Sequence, residues 1–265
     1  MIDSMQCPIC GQKGTYIFQN IVLNKYEVSY YQCSHCRLIY TETPYWLKEA
    51  YKDAIVGTDT GLMQRNISFC VSVNTLIRKF FSTGANFLDY GGGYGIFVRM
   101  MRDVGHHFRW TDKYSENLIA KGFEYQGEAV DFVTAFELLE HFDQPLQEIE
   151  NLLGYSKNIL ISTTVYEEEH GYPDKSWWYY APHAGQHVVF YHRQTFKYLA
   201  QQYHLNYYQI NQTLHLLTER NLPRTSFNLL MRSKVGKVYQ YFRWFVDRRS
   251  SLSEADSRIV LERER

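Results

Sequence analysis

The feature that most constrains the fold of this 265-residue chain is a glycine-rich turn between an apolar segment and a helical pattern. Residues 86–90 form an apolar run that contains one acidic residue, Asp89. Gly91, Gly93 and Gly95 follow at once. Glycine accepts positive φ and carries no Cβ, so the pattern predicts a strand, a tight loop and a helix N-terminus. In that geometry backbone N–H groups can meet a ligand.

The spacing of the glycines separates this loop from a dinucleotide-binding fingerprint. That fingerprint reads G-x-G-x-x-G, and its third glycine lets helix and strand pack closely. Counted from Gly91 and Gly93, the third position here is Ile96, and the last glycine comes one residue earlier. The loop therefore reads D-x-G-x-G-x-G.

Predicted strands and helices alternate from residue 86 to residue 218. Such alternation favours an α/β fold with a mostly parallel, Rossmann-like sheet covered on both faces. Two consecutive strands at the end predict an antiparallel C-terminal hairpin at one edge. The predicted strands are 86–90, 108–112, 130–136, 158–163, 206–210 and 214–218, and the predicted helices are 96–104, 116–121, 144–153 and 193–203.

The segment before the glycine loop predicts a helical linker or lid over residues 44–84. Residues 45–51 read as a short helix and residues 52–61 as a loop rich in Asp, Thr and Gly. Apolar residues at helical spacing predict a longer helix over 66–81.

Two C-x-x-C pairs, separated by 22 residues, stand near the N-terminus. Two such turns present four thiolates tetrahedrally, as Zn²⁺ requires, so residues 1–43 are interpreted as a zinc ribbon. Two disulfides or a redox motif are the alternatives, and reduced cytosolic thiols count against them. The predicted ligands are Cys7, Cys10, Cys33 and Cys36.

Charge and hydropathy narrow the class of protein. The chain carries 28 basic and 28 acidic residues, so no overall field attracts nucleic acid. It has no apolar run of about 18 residues and no N-terminal secretory pattern. We expect a cytoplasmic protein.

An acidic residue closes the second predicted strand. Asp112 lies about 20 residues beyond the glycines, where a carboxylate can accept both hydroxyls of a ribose. The alternative is that Asp112 caps the helix predicted to follow it.

A third motif, D-F-V-T-A-F-E-L-L-E-H-F, occupies residues 131–142. With the glycine loop and the second-strand acid, it resembles the class I S-adenosylmethionine (SAM)-dependent methyltransferases over about residues 85–220. The resemblance implies SAM as cofactor and an antiparallel closing hairpin. It assigns Asp89 to the ammonium group of SAM, Asp112 to its ribose, and further contacts to Gly91, Gly93, Gly95 and Glu137.

The chain departs from that family at one place. Between Lys121 and Asp131 too little sequence remains for a full third strand with an adenine-contacting acid. Phe123, Tyr125 and Gln126 are the nearby candidates for adenine contacts.

Candidate catalytic residues follow two of the predicted strands, 130–136 and 158–163. His141 is the first candidate for the base that removes the acceptor proton, His187 competes with it, and Glu137 shares a face with His141 if the stretch is helical. With Glu140 these residues also resemble the metal-ligand set of small-RNA 2′-O-methyltransferases. The alternative is that the L-E-H motif braces the loop without a metal.

An aromatic loop, residues 172–187, is predicted to cross the carboxyl edge of the sheet, where α/β folds bind ligands. Its aromatic side chains suit stacking against a sugar, aromatic or lipid acceptor. The alternative, which the sequence leaves equally open, is a satellite aromatic core under a long loop. The predicted acceptor-binding residues are Trp177, Trp178, Tyr180, Gln186 and His187.

Residues 221–265 form a predicted helical extension, and 220–250 hold eight basic residues against Asp247 alone. Interleaved aromatic residues allow contact with an anionic membrane surface, a nucleic acid or a phosphorylated substrate. The favoured interpretation is a helix that packs its aromatic side chains on the domain and leaves its arginines in water.

The whole arrangement is similar to bacterial small-molecule and sugar methyltransferases of polysaccharide or secondary-metabolite pathways. It implies methyl transfer to a hydroxyl or carbon of a small or carrier-linked acceptor, above all a sugar or glycan. One alternative is an RNA methyltransferase that grips RNA with its ribbon and its basic segment. Another is a non-catalytic binding protein that keeps the fold.

Overall fold

A computed structural model describes residues 4–51 and 60–263 of the chain. Most of the predicted 52–61 loop lies outside these residues. The chain forms two compact units, each assembled from separated stretches of sequence. One comprises Met1–Val56, Phe136–Gly154 and Ile161–Glu219, and the other comprises Gly57–Ala135, Tyr155–Leu160 and Arg220–Arg265.

The described residues form eleven strands. In chain order they are β1 (Ser4–Gln6), β2 (Lys13–Val22), β3 (Tyr26–Cys33), β4 (Ile39–Thr41), β5 (Asn86–Tyr90), β6 (His107–Thr111), β7 (Phe132–Phe136), β8 (Asn158–Ser162), β9 (Val189–Phe190), β10 (Asn206–Gln209) and β11 (Leu214–Thr218).

Eight α-helices accompany them in the described ranges. They are α1 (Leu47–Ala50), α2 (Leu62–Phe80), α3 (Ile96–Arg102), α4 (Pro145–Tyr155), α5 (Arg193–Gln202), α6 (Arg224–Phe227), α7 (Lys234–Asp247) and α8 (Ser253–Arg263). Each of these helices is too short or too polar to cross a bilayer.

The larger sheet has six strands in the order β10-β11-β8-β7-β5-β6. Strand β5 runs parallel to both β6 and β7, whereas β10 and β11 are antiparallel. This order confirms the predicted α/β fold with a mostly parallel sheet and an antiparallel C-terminal hairpin.

The central strands are apolar because both of their faces are covered. Phe87 and Leu88 of β5 are fully buried, and every residue of β8 is buried. Phe87 stacks on its register partner Phe108 with ring centroids 5.0 Å apart. The buried strands therefore hold the glycine loop at the carboxyl end of β5 on a rigid support.

The smaller sheet has five strands in the order β1-β2-β3-β4-β9. Strand β4 pairs with β9 through Ile39↔Phe190 and Tyr40↔Val189, so a strand some 150 residues later completes the N-terminal sheet. The compact unit that contains the N-terminal ribbon therefore also includes segments from later in the chain. The predicted boundaries after residues 43, 84 and 220 stay a prediction.

Residues 113–123 differ from the prediction, because turns and bends replace the helix expected over 116–121. The short connection to β7 leaves room only for an isolated parallel bridge, Trp110↔Glu124, where a full third strand would stand. The sequence predicted this shortage of chain correctly.

The C-terminal helix α7 has two different faces. Gln240, Trp244 and Asp247 are buried, and Asp247 accepts a 2.9 Å hydrogen bond from Asn74 and pairs with Arg78 at 2.9 Å. The opposite face is exposed over Val235, Val238, Tyr241, Phe242 and Phe245. The expectation that the aromatic side chains pack on the domain is therefore wrong for Tyr241, Phe242 and Phe245, because the buried face is formed mainly by polar and ionic contacts.

Candidate active site

The glycine loop after β5 uses its glycines for two different purposes. Gly91, Gly93 and Gly95 all have positive φ, at 70°, 52° and 85°. A Cβ on Gly95 would lie 2.6 Å from Asn117 Oδ1, so this glycine lets the loop pack closely on its neighbour. A Cβ on Gly93 would meet no described atom within 4 Å. The Gly93 side of the loop is therefore open to a ligand.

Trp110 holds the loop from beneath. Its Nε1–H donates to the carbonyl oxygen of Gly93 at 2.9 Å. A Cβ on Gly92 would lie 2.6 Å from Trp110 Cδ1, so the ring requires the extra glycine. This role of Trp110 was not predicted, and its only signal in the sequence is a large aromatic residue two positions before Asp112.

Asp89, at the end of β5, is buried and accepts a 2.6 Å hydrogen bond from Thr134 Oγ1. Burial raises the pKa of the Asp89 carboxyl to about 7, the Thr134 hydroxyl opposes the rise, and the nearby Asp112 charge adds to it. The group therefore changes its charge near neutral pH. Thr134 was not predicted, because a buried threonine in a strand carries no special signal.

Asp112 stands one residue after the end of the adjacent parallel strand β6. Its Oδ2 accepts the Gly93 N–H at 2.9 Å, and its Oδ1 accepts the N–H groups of Tyr114 and Ser115 at 2.7 Å each. Asp112 thus caps a turn, where the sequence predicted a helix. A carboxylate has about four lone-pair positions, so this one retains capacity for a further donor.

Glu137 follows β7 with a positive φ of 52°. Its N–H donates to Ser162 Oγ at 2.8 Å, and that hydroxyl donates to Glu137 Oε1 at 2.6 Å. The next residues form a 3-10 turn, Leu139–His141. The condition under which Glu137 and His141 would share a helix face is therefore not met, because the left-handed residue breaks the helical path.

Glu140, His141 and His187 form a compact cluster in which one potential ligand atom from each lies within 4.8 Å of the others. The two imidazole rings are perpendicular, with centroids 4.9 Å apart. Burial lowers the pKa of His141 to about 3, with His187 adding to the effect, so His141 is neutral. The resemblance to a metal-ligand set named Glu137, Glu140 and the two histidines together, and the structure groups Glu140 with the histidines without Glu137.

The aromatic loop is mostly core. Tyr180 is fully buried and its hydroxyl donates to the carbonyl of Pro173. Trp177 packs against the same buried cluster. Gln186 is buried too, and its side chain donates to the carbonyl of Ala50 at 2.9 Å. The satellite-core alternative therefore describes Tyr180 and Gln186, which are buried with their polar groups bonded, and Trp177 is a partly buried neighbour of the same core.

Trp178 is the exception in this loop, with 71% of its surface exposed. Its neighbour Tyr179, which was not predicted, is buried and accepts a 2.7 Å hydrogen bond from His187 Nδ1–H through its backbone carbonyl. The loop thus offers one exposed aromatic ring and one histidine whose orientation it fixes.

The four predicted cysteines come together. The Sγ atoms of Cys7 and Cys36 are 3.5 Å apart, those of Cys10 and Cys33 are 3.4 Å apart, and all four lie within 4.8 Å of one another. Tetrahedral Zn²⁺ with bonds of about 2.3 Å separates its sulfur ligands by about 3.8 Å, so the cluster fits this ion. All four cysteines are free thiols.

The backbone around the sulfurs repeats itself. The N–H of Gly11 donates to Cys7 O and the N–H of Arg37 donates to Cys33 O, each at 2.9 Å, and both residues have positive φ. Hydrogen bonding to the Cys33 sulfur raises the pKa of Cys36 above the ordinary thiol range. A dication held by the four sulfurs would allow all of them to ionise.

A family model described as a methyltransferase domain matches residues 61–210, which are 150 of the 265 residues. Curated protein sequences give no significant match to the chain.

Solved structures show partial similarity to this chain. Magnesium protoporphyrin IX methyltransferase from Synechocystis PCC 6803 is 14% identical, with a TM-score of 0.45 over 65% of this chain and 92% of that one. The mitomycin 7-O-methyltransferase MmcR is 12% identical, with a TM-score of 0.42 over 65% and 59%. WbdD is 16% identical, with a TM-score of 0.38 over 68% and 44%.

Proposed function

This chain belongs to the methyltransferase-domain family, and we propose that it is a SAM-dependent enzyme that methylates a hydroxyl or carbon of a small or carrier-linked acceptor, in particular a sugar or glycan. The observation that carries the proposal is the pair of acids at the carboxyl ends of β5 and β6, beside a loop whose Gly93 side is open.

The residues of this loop have the chemistry to hold SAM. Gly91, Gly93 and Gly95 allow the backbone to approach the methionine part of the cofactor. The Asp89 carboxylate provides a negative charge for its ammonium group, and the remaining acceptor capacity of Asp112 serves a ribose hydroxyl in this proposal. Glu137 remains a proposed further contact.

Methyl transfer is an in-line displacement. The acceptor atom attacks the methyl carbon, the carbon–sulfur bond breaks, and the sulfur leaves with the bonding pair as a neutral thioether. SAM supplies the activated methyl group, so the protein must orient the acceptor and remove its proton. His141 and His187 are the proposed groups for that proton, because each has its Nδ1 within hydrogen-bond distance of a carbonyl, which favours the tautomer with an acceptor lone pair on Nε2.

Two observations support a sugar as the acceptor: the balanced net charge of the chain and the exposed ring of Trp178. The balanced charge of the chain disfavours a long polyanion such as RNA. Trp178 offers a flat apolar surface of the kind on which sugar rings stack. A small or carrier-linked sugar therefore suits this site better than RNA.

We also propose that Cys7, Cys10, Cys33 and Cys36 hold a structural Zn²⁺ ion. The sulfur separations and the two matching turns support it. Because thiolate ligands need a reducing compartment, the cytoplasmic location remains part of the proposal.

Contact with an anionic membrane is proposed for the exposed face of α7. Val235, Val238, Phe242 and Phe245 follow one another at intervals of three, four and three residues, so they form one apolar stripe. The exposed side chains of Lys234, Lys237 and Arg248 accompany it. An apolar stripe with basic flanks suits the surface of an anionic bilayer, where a carrier-linked glycan would be presented.

Calorimetry with SAM tests the central proposal. We expect Asp112→Ala to weaken SAM binding by at least about tenfold, because a ribose hydrogen bond to a charged group is lost. Asp112→Asn removes the charge and keeps one oxygen, which can still accept the N–H groups of Tyr114 and Ser115, whereas the bond from the Gly93 N–H is lost. Unchanged SAM affinity in both variants would remove Asp112 from the site.

The acceptor is tested with SAM labelled in its methyl group, supplied with sugar nucleotides, lipid-linked glycans or RNA. The proposal expects label in a sugar fraction, and label in RNA alone would replace it with the RNA alternative. Absence of both transfer and SAM binding would favour the non-catalytic alternative.

A further inference from the structure

We propose that Glu140, His141 and His187 form a second metal site, separate from the cysteine cluster, that binds a divalent transition-metal ion of the Zn²⁺ type. Cation binding at these residues does not depend on the acceptor. The role assigned to the cation below rests on the proposed methyl transfer, which it deepens.

The hydrogen bonds of the two histidines fix which nitrogen each of them presents. His187 Nδ1 lies 2.7 Å from the carbonyl of Tyr179. His141 Nδ1 lies 3.2 Å from the carbonyl of Gln186 and 3.1 Å from the hydroxyl of Tyr51, which can donate or accept. A carbonyl oxygen can only accept, so the tautomer that serves both carbonyls carries its proton on Nδ1 and leaves Nε2 with a free lone pair. Metal-binding histidines typically use this arrangement, with the second nitrogen donating to a carbonyl or carboxylate.

Glu140 supplies the independent observation. Its side chain is fully buried, and neither carboxylate oxygen has a hydrogen-bond partner among the described residues. A buried carboxylate without a partner is strongly unfavourable, because it loses its hydration and gains nothing in return. Its oxygen lies in the same cluster as the two histidine ligand atoms, so a cation there would provide the missing partner.

The ligand set indicates the class of ion. Two imidazoles and one carboxylate suit Zn²⁺ and neighbouring transition metals better than Mg²⁺ or Ca²⁺, which prefer oxygen ligands. Catalytic zinc sites commonly have three protein ligands and keep one position open. An acceptor hydroxyl in that position would have its pKa lowered by the cation, as bound water does.

In this form of the site the histidines hold the cation and do not take the proton themselves. The acceptor O–H bond breaks with release of the proton to solvent, the oxygen attacks the methyl carbon, and the carbon–sulfur bond breaks. With a cation bound, neither His141 nor His187 is the base, since both act as metal ligands.

The test counts bound zinc in the full chain. After weakly bound metal has been removed with a chelator, each protein is titrated with Zn²⁺, bound metal is counted by mass spectrometry and Tm is recorded. We expect about two zinc ions per chain in the wild type and about one in Glu140→Gln and His187→Ala, with affinity at the second site at least about a hundredfold weaker. Glu137→Gln is the matched control, because it changes a nearby carboxylate outside the cluster.

Thermal stability gives a second readout with opposite signs. In metal-depleted protein, Glu140→Gln should have a higher Tm than the wild type, because it removes an unpaired buried charge. Added Zn²⁺ should reverse that order by stabilising only the wild type. A purely structural role for Glu140 would instead lower the Tm of the variant equally with and without zinc.

Equal zinc content in the wild type and Glu140→Gln would overturn the proposal, as would the equal loss of Tm just described. SAM affinity, measured by calorimetry on the same samples, should be unchanged by Glu140→Gln. If Glu140→Gln loses the second zinc but still binds SAM, the metal site is separate from the cofactor site. If the wild type does not bind SAM, the proposed function fails, but the zinc count still tests the metal site.

Discussion

At the scale of single residues, Asp89 and Asp112 show how two aspartates in one loop region acquire different properties. Asp112 accepts three backbone N–H bonds. Asp89 is buried and has one neutral donor, the Thr134 hydroxyl, so its pKa rises to about 7. Asp89 is therefore the group through which pH should act on cofactor binding.

We predict that SAM affinity increases as pH rises from about 6 to about 8. Below about 7 Asp89 is protonated and offers no charge to the ammonium group of SAM, and above it the carboxylate is ionised. Calorimetry across this range, in buffers with different ionisation enthalpies, should also detect a proton released on binding at the lower pH. Asp89→Asn should bind at least about tenfold more weakly at pH 8 and show a flat profile; an equally steep profile in this variant would contradict the assignment.

The raised pKa of Asp89 also affects folding, and here the effect of pH has the opposite sign to its effect on SAM binding. In the folded state Asp89 stays protonated up to about pH 7, whereas in the unfolded state it ionises at about pH 4. The free energy of unfolding should therefore fall as pH rises from about 4 to about 7. Cofactor binding above pH 7 works against this loss, since the ammonium group pairs with the ionised form.

At the scale of elements, the glycine loop combines a structural side and an open side. Gly95 packs against Asn117 and Ala120, whereas Gly93 faces space. The neighbouring 113–123 segment shows why local propensity failed there: Asp112 and Asn117 hydrogen-bond the backbone around them and replace helical bonds.

Two alanine variants should separate these sides. Both Gly93→Ala and Gly95→Ala place a Cβ in left-handed backbone, at a cost of about 1–2 kcal/mol. Gly95→Ala adds a clash at 2.6 Å and should lower Tm by more than Gly93→Ala does. Gly93→Ala should have a Tm closer to that of the wild type, but SAM should no longer raise its Tm as it raises that of the wild type. Thermal melts with and without SAM measure both effects, and full SAM stabilisation of Gly93→Ala would place the cofactor elsewhere.

At the scale of the whole molecule, the chain leaves one helix face without a packing partner among the described residues. Phe245 is 71% exposed, and on the face that α7 buries Asp247 contacts Asn74 and Arg78 of α2. Packing of the chain on itself therefore does not explain the apolar stripe on the other side.

We predict that the protein binds vesicles containing anionic phospholipid and does not bind zwitterionic vesicles. The double variant Phe242→Glu and Phe245→Glu should reduce binding at least about tenfold, because two apolar rings no longer enter the interface. Tyr114→Glu, which changes an aromatic residue that is 84% exposed outside α7, is the control.

Sedimentation with vesicles at low and high salt gives the readout, and high salt should weaken binding by screening the basic flanks. If the wild type ignores vesicles and instead dimerises through Phe242 and Phe245 in analytical ultracentrifugation, a second copy covers the face and the membrane proposal fails.

The sequence by itself determined what depends on local patterns. Strand–helix alternation specified the α/β sheet, the glycine spacing specified the loop after β5, and the C-x-x-C spacing specified the cysteine cluster. These features follow from backbone geometry and from short-range chemistry, which a few adjacent residues decide.

Only the tertiary structure decided which side chains are buried and what they contact. It placed Tyr180 and Gln186 in a core, left Phe242 and Phe245 in solvent, and brought Glu140 beside His187, 47 positions away. Burial, pKa and metal-binding capacity depend on groups that are distant in sequence, so residue types and spacing alone could not specify them.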